Sequence, residues 1–303
     1  MVLKINITVL TTTYNRADFL QKLYDSLGNQ TDQDFQWLII DDGSTDNTFE
    51  VIEKFLTKQN DFRINYFKKV NGGKHTALNY AHNYITGDVI AIVDSDDILV
   101  PEAVSTIRQY WDSVYENEKY ATVVFERINQ SGVKLGQFPD KIFSGSDLDY
   151  RIKKSIVGDF AETIRASIFK SFPFPIYKNK EKFFPEGWLW THVALQYNTL
   201  NISQTIVVGG YQEDGLTKRG RLMRLQSPVG LMKYYRLLEN VRGISFSAKI
   251  KNALAFNVYK LSNQKAIHTL TSDEINIEFG NDTLTEKILK LPAIIIYYYW
   301  KKR

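Results

Sequence analysis

The 303-residue chain has no cysteine and only 7 prolines, 3 methionines and 4 histidines. The missing thiols exclude disulfide stapling, thiolate metal sites and cysteine nucleophiles, and they suit a reducing compartment. Long apolar runs are missing too: the longest, residues 291–300, is about half of the roughly 18–20 residues that a membrane span needs. The first ten residues alternate like a strand and lack the basic flank, apolar core and small-residue cleavage site of a secretory signal, so a cytoplasmic location is expected. Nor does one sign of charge dominate. The formal net charge is +4, and residues 284–303 carry five Lys or Arg against one Glu, which leaves the remainder neutral. That distribution argues against a nucleic-acid-binding face.

What is present is an ordinary globular composition, 44% hydrophobic and 24% charged, with enough chain for one large domain or two smaller ones. Apolar, β-branched runs of strand length stand at 5–11, 35–41, 62–67, 88–93 and 121–126. Between them apolar residues recur at helical spacing: Phe19, Leu20, Leu23 and Leu27, then Phe49, Ile52, Phe55 and Leu56, then Ala77, Leu78, Ala81 and Ile85. This alternation predicts an α/β fold with a parallel sheet covered on both faces and ligands at the carboxyl ends of its strands. Pro101 fits a first helical position, which predicts a further helix there. After Arg127 the pattern loosens into a less regular lobe with a helix near 188–197 and a strand at 202–208. From Pro228 onward Leu231, Tyr234, Tyr235 and Leu238, then Ile250, Leu254, Val258 and Leu261, predict two helices.

Acids collect where that scaffold would hold a ligand. Asp41, Asp42 and Asp46 follow the second strand, and Asp94, Asp96 and Asp97 follow the fourth. Three carboxylates within four residues raise one another's pKa unless a cation lies among them. Mg²⁺ or Mn²⁺ held by one or two carboxylates and diphosphate oxygens resolves the conflict, and no His or thiolate set points to zinc. The alternative is that Asp-Ser-Asp-Asp caps the helix near Pro101.

Four segments in this order carry a family resemblance: Thr11-Thr-Thr-Tyr-Asn-Arg16, Asp41-Asp-Gly-Ser-Thr-Asp-Asn-Thr48, Asn71-Gly-Gly-Lys-His-Thr-Ala-Leu-Asn79 and Thr86-Gly-Asp-Val-Ile-Ala-Ile-Val-Asp-Ser-Asp-Asp97. Together they resemble the family 2 glycosyltransferases, inverting enzymes with a GT-A type nucleotide-binding sheet and flanking helices. The likeness is strong over 4–127, moderate to about residue 221 and absent beyond. It implies a nucleotide-sugar-binding part (1–127), an acceptor-binding part (128–221) and a helical C-terminal extension with a basic, aromatic tail (222–303). It further implies that Thr13, Tyr14, Asp41 and Asp42 line the nucleoside pocket, that Asn71 lies by the donor, and that Asp94, Ser95 and Asp96 serve ribose and metal, with Asp96 as metal ligand.

One position departs from the family. Leu78 stands where many members carry an arginine near the phosphates, and Lys74 or His75 is then expected to supply the positive or donor group. The family's general base is an acid before an apolar helix of the second lobe. Glu186, in Phe183-Phe-Pro-Glu-Gly-Trp-Leu-Trp190, fits that place, while Asp159 and Glu162 are rival bases or acceptor ligands. Lys218 and Arg219 resemble a loop that closes over the diphosphate. The resemblance implies a UDP-linked donor, a glycan or lipid-linked acceptor in bacterial surface polysaccharide synthesis, and Mn²⁺ or Mg²⁺. The aromatic and basic tail suits either a bilayer interface, making the protein peripheral at the inner face of a membrane, or a helix or strand docked on the body. A sugar-nucleotide-binding protein without transferase activity is the competing reading, since the arginine is lost at Leu78. A Rossmann oxidoreductase is disfavoured, because no Gly-x-Gly-x-x-Gly follows the first strand.

Overall fold

The computed structural model describes residues 4–138, 142–146, 148, 158–177, 181–209 and 216–302. The chain divides into two compact units, Met1–Pro173 with Val193–Tyr211, and Phe174–His192 with Gln212–Arg303.

The first unit is built on a twisted sheet. Its elements in chain order are β1 (Ile7–Thr13), α1 (Ala17–Gly28), β2 (Phe35–Asp41), α2 (Thr48–Leu56), β3 (Arg63–Lys68), α3 (Lys74–Ala81), β4 (Val89–Ile92), β5 (Ile98–Leu99), α4 (Ala103–Val114), β6 (Tyr120–Asn129), β7 (Ile142–Gly145), β8 (Phe160–Arg165), α5 (Ala166–Ser171) and β9 (Asn198–Gly209). The strand order is β3-β2-β1-β4-β8-β6-β9-β5, with β7 paired to β9. The first four strands are parallel. Every residue of β2 is buried, as expected of a strand covered on both faces. Leu20, Leu23 and Leu27 of α1, Ile52 and Phe55 of α2, and Trp37 of β2 share one core with Ile107 and Trp111 of α4.

The expectation of an all-parallel sheet holds only on this side. Strand β8 runs antiparallel to both β4 and β6, while β6 and β9 are parallel with register shifts. The segment after β4 also differs from the reading of Pro101 as a first helical residue. The chain first makes β5, antiparallel to β9, and turns at Pro101 before α4 begins at Ala103. Glu102 is the N-cap and makes no side-chain capping bond, and the Val104 N–H donates to Gln30 Oε1 at 3.0 Å instead, so the acidic segment does not serve as the cap.

The second unit is helical. After α6 (Gly187–Ala194), along which the chain passes between units, it contains α7 (Leu216–Leu225), α8 (Pro228–Glu239), α9 (Phe246–Ser262) with a π-turn at Asn263–Ile267, α10 (Ser272–Phe279), α11 (Leu284–Ile288) and α12 (Lys290–Lys302). The two helices foreseen from Pro228 onward are α8 and α9. Met232, Phe256, Tyr259, Ile275 and Tyr297 form its core. Capping boxes at Thr271 with Glu274 and at Thr283 with Glu286 start α10 and α11. Among the described residues no helix is long and apolar enough to cross a membrane.

Candidate active site

Register brings three strand ends to one level. Thr13 lies opposite Asp41 across β1 and β2, and the ladder between β1 and β4 continues through a bond from the Val93 N–H to the Leu10 carbonyl. The loop after β1 is then laced to the loop after β2. Asn15 takes the left-handed conformation at φ 52°, which asparagine tolerates better than most residues. Its N–H donates to Ser44 Oγ at 2.9 Å, and its side-chain oxygen accepts the Thr45 N–H at 2.8 Å. Asp46 accepts from both the N–H and the hydroxyl of Thr48 at the start of α2. Polar residues that read as loop composition therefore fix the shape of this edge. On it Tyr14 is 45% exposed, whereas Thr13 is buried and its hydroxyl has no hydrogen-bond partner among the described residues.

Asp41 and Asp42 are both buried, and each carboxylate organises backbone. Asp41 accepts the Ser44 N–H at 2.7 Å and the Tyr66 hydroxyl at 2.8 Å; burial first, then this bond, push the Tyr66 phenol upward. Asp42 accepts the Gly72 N–H at 3.0 Å, the Gly73 N–H at 2.6 Å, the Asn71 amide at 2.9 Å and the Lys69 ammonium at 2.7 Å. The close approach requires Gly43, at φ 84°, where a Cβ would stand 2.8 Å from the Asn71 nitrogen. The glycine loop leading into α3 is thus drawn onto the end of β2.

Helix α3 places Lys74 at its first residue, with its ammonium 2.6 Å from Asp94 Oδ1. His75 is buried, and burial holds its imidazole down to about 4, so it is neutral at physiological pH. Of the two candidates for the missing cation, Lys74 is therefore the charged one. Leu78 is fully buried, and Lys74 precedes it by one helical turn on the same face.

The acidic segment after β4 is divided by its partners. Lys74, together with Arg127 and Arg16, keeps the Asp94 carboxyl below the ordinary carboxylate range. Asp97 is buried and receives Arg127 Nη2; burial, with Asp94 and Asp96 nearby, pushes it up to about 7 against the pull of Arg127. Asp96 has no ion-pair partner among the described residues, and burial, then Asp94, raise its pKa. Ser95 is buried between them. Arg127 also reaches Asp159 Oδ2 at 3.1 Å, which ties a 65% exposed carboxylate at the edge of β8 to the acidic segment. Gly209 makes room for the ion pair, since a Cβ there would stand 2.3 Å from Arg127 Nη2.

The structure therefore gathers Lys74, Asp94, Asp97, Arg127 and Asp159 in the first unit. Glu162 lies in β8, which Asp159 immediately precedes. Glu186 belongs to the second unit, half-buried at the turn that starts α6, where its carbonyl accepts the Leu189 N–H at 2.9 Å. The side chains of Lys218 and Arg219 fall outside the described residues, although their backbone lies in α7. Sequence reasoning missed Lys69 and Arg127 as organisers of the site, and named Asp97 only as one of the clustered acids. A lysine pair at the end of β3 facing Asp41 and Asp42 was a usable signal for Lys69; a lone arginine ending an apolar strand was a weaker one for Arg127.

Among the described residues no cluster of three or more metal-ligating side chains forms. Of the three carboxylates in the segment after β4, Asp96 is the one that forms no ion pair among the described residues.

The sheet with acids at its strand ends is similar in fold to glycosyltransferases of the GT-A type. The chain belongs to glycosyl transferase family 2, whose profile matches residues 8–172. It is 28% identical over 211 residues to the uncharacterized glycosyltransferase MG060 of Mycoplasma genitalium, covering 68% of each chain. It is 23% identical over 299 residues to the GalNAc(5)-diNAcBac-PP-undecaprenol beta-1,3-glucosyltransferase of Campylobacter jejuni, covering 94% of this chain and 93% of the relative. In fold it is similar to S. aureus TarS 1-349 in complex with UDP-GlcNAc, with a TM-score of 0.62, 15% identity and coverage of 98% and 81%. The mannosyltransferase PcManGT from Pyrobaculum calidifontis in complex with GDP-Man and Mn²⁺ gives a TM-score of 0.56 at 16% identity, with coverage of 97% and 84%.

Proposed function

We propose that this glycosyltransferase is an inverting enzyme that moves a sugar from a UDP-linked donor to a hydroxyl of a glycan or lipid-linked acceptor in surface polysaccharide synthesis, working as a peripheral protein at the inner face of a membrane. The division of the acidic segment carries the reading. Lys74 neutralises Asp94 and Arg127 neutralises Asp97, which leaves Asp96 as the carboxylate able to meet Mn²⁺ or Mg²⁺. Bound there, the cation would neutralise charge on the leaving diphosphate. The Mn²⁺-bound mannosyltransferase of similar fold and the undecaprenol-linked substrate in the name of the Campylobacter relative support the cofactor and the acceptor class.

The protein's own groups divide the remaining work. Tyr14 and Thr13 offer a ring and an unsatisfied hydroxyl for the nucleoside, on an edge shaped by Asp41 and Asp42, with Asn71 and the glycine loop beside the diphosphate. Asp94 and Ser95 face the ribose, while Lys74, with Lys218 and Arg219, supplies positive charge. Glu186 takes the proton from the acceptor hydroxyl as its oxygen bonds to the anomeric carbon and the bond to the diphosphate breaks; Asp159 is the alternate base. The test is UDP release from a panel of UDP-sugars with and without Mn²⁺, alongside calorimetric UDP binding. Wild type should need the metal for both, and Asp96→Ala should lose metal-dependent binding while keeping its far-UV spectrum. Metal-independent turnover, or normal metal-dependent binding by Asp96→Ala, would overturn the assignment.

A further inference from the structure

Helix α12 is apolar on two faces. Its inner face, Ala293 and Tyr297 with Ile296 and Trp300 alongside, packs into the core of the second unit. Its outer face carries Leu291 at 74% exposure and Ile295 at 71%, followed by the exposed rings of Tyr298 and Tyr299. The spacing of four and then three or four residues makes these one stripe where a docked helix ordinarily presents polar groups. Just before it, Leu284 and Ile288 of α11 are 75% and 68% exposed. At about 1.5 Å per residue α12 is roughly 20 Å long, too short to span a bilayer and long enough to lie along one.

Charge selects the occupant. Lys287, Lys290, Lys301 and Lys302 are all exposed among and after these apolar groups, Lys290 lying 3.3 Å from Asp282 and the other three in no ion pair among the described residues. The acid in the same stretch, Glu286, is fully buried, held by Arg236 at 2.8 Å and by its own capping box. A second copy of this chain would bring two cationic faces together, which electrostatics opposes, whereas a surface of anionic headgroups over hydrocarbon complements both the lysines and the apolar stripe.

We infer that the outer face of α11 and α12 lies in the plane of an anionic membrane interface, with Leu284, Ile288, Leu291 and Ile295 entering the acyl boundary and the lysines on lipid phosphates. This rests on the reading of a membrane-associated transferase and names the surface responsible. The test is co-sedimentation of the full chain with vesicles of equal parts phosphatidylcholine and phosphatidylglycerol, or of phosphatidylcholine alone. Wild type should bind the mixed vesicles at least tenfold more tightly than the zwitterionic ones. Leu291→Glu/Ile295→Glu should lose binding, and the milder Leu291→Ser/Ile295→Ser should weaken it, both with unchanged thermal melts because these positions face solvent. Replacing Lys287, Lys290, Lys301 and Lys302 by Gln should weaken binding at least tenfold. Absent binding to the mixed vesicles, undiminished binding by the glutamate pair, or a solution dimer that the same pair abolishes would overturn the inference. UDP release measured without vesicles keeps the two readings apart: turnover without vesicle binding defeats the membrane face alone, and vesicle binding without turnover of any donor defeats the transferase reading alone.

Discussion

Arg127 lies between two carboxylates of unequal exposure, donating to the buried Asp97 on one side and pairing with the solvent-facing Asp159 at 3.1 Å on the other. The pair Arg127 and Asp97 joins β6 to the turn after β4, so it holds the acidic segment against the sheet. Removing one partner leaves a buried charge without its counterion, which costs about 3 kcal/mol. Arg127→Ala should lower stability by about that amount in chemical denaturation. Arg127→Ala/Asp97→Asn should lose clearly less than the sum of the single losses, because neither orphan remains. Additive losses would show that the pair is not coupled.

The carboxylate of Asp42 collects four donors from Lys69, Asn71, Gly72 and Gly73, and so decides where the glycine loop sits. Asn at this position replaces one acceptor oxygen by an NH₂ that faces donors. Asp42→Asn should therefore destabilise the protein by about 2–3 kcal/mol. It should also weaken UDP binding, because the loop that leads into α3 and Lys74 loses its anchor. Calorimetric UDP titration at a temperature where the variant is fully folded separates the two effects, and an unchanged affinity would rule out the loop as part of the donor site.

Strands β1 to β4 and helices α1 to α3 were legible because each is a local pattern of apolar period, bounded by turn residues. The register that levels Thr13 with Asp41 follows from the same runs. Strand β8 was missed: Phe160–Arg165 is short, carries Glu162 and Arg165, and gains its place from pairing on both sides with β4 and β6. Strand β9 extends well before the apolar run at 202–208, because its polar start, Asn198 to Asn201, is held by β6 and β7. The acids of the site were visible by composition, but their neutralisation by Lys74 and Arg127 was not. Those contacts join residues 20 and 30 positions apart, and no local spacing encodes them.

The two candidate bases can be told apart by kinetics. Glu186 stands at the start of α6, whereas Asp159 is engaged by Arg127. Loss of a general base lowers turnover by roughly 10²–10⁴-fold without touching donor binding. Glu186→Gln should show that loss in kcat with an unchanged dissociation constant for UDP. Asp159→Asn should instead reduce turnover less than tenfold and alter the stability contribution of Arg127. Inverted results would transfer the role of base to Asp159.

In the second unit one guanidinium serves two acids. Arg236 Nη1 lies 2.7 Å from Glu239 and 2.8 Å from Glu286, and Glu286 is fully buried. Burial first, then the charge of Glu286, push Glu239 up to about 7 against the pull of Arg236. Between the ordinary glutamate value of about 4.3 and this raised one, the folded protein keeps a proton that the unfolded chain has released. Stability from this site therefore falls as pH rises through that window, and is unaffected below it. Glu239→Gln mimics the protonated acid and leaves Arg236 paired with Glu286. The variant should match wild type at pH 4 and exceed it by about 1–3 kcal/mol at pH 8. Urea denaturation at both values measures this difference directly. Parallel stability profiles for the two proteins would mean that Glu239 ionises in the folded state as readily as in the unfolded chain.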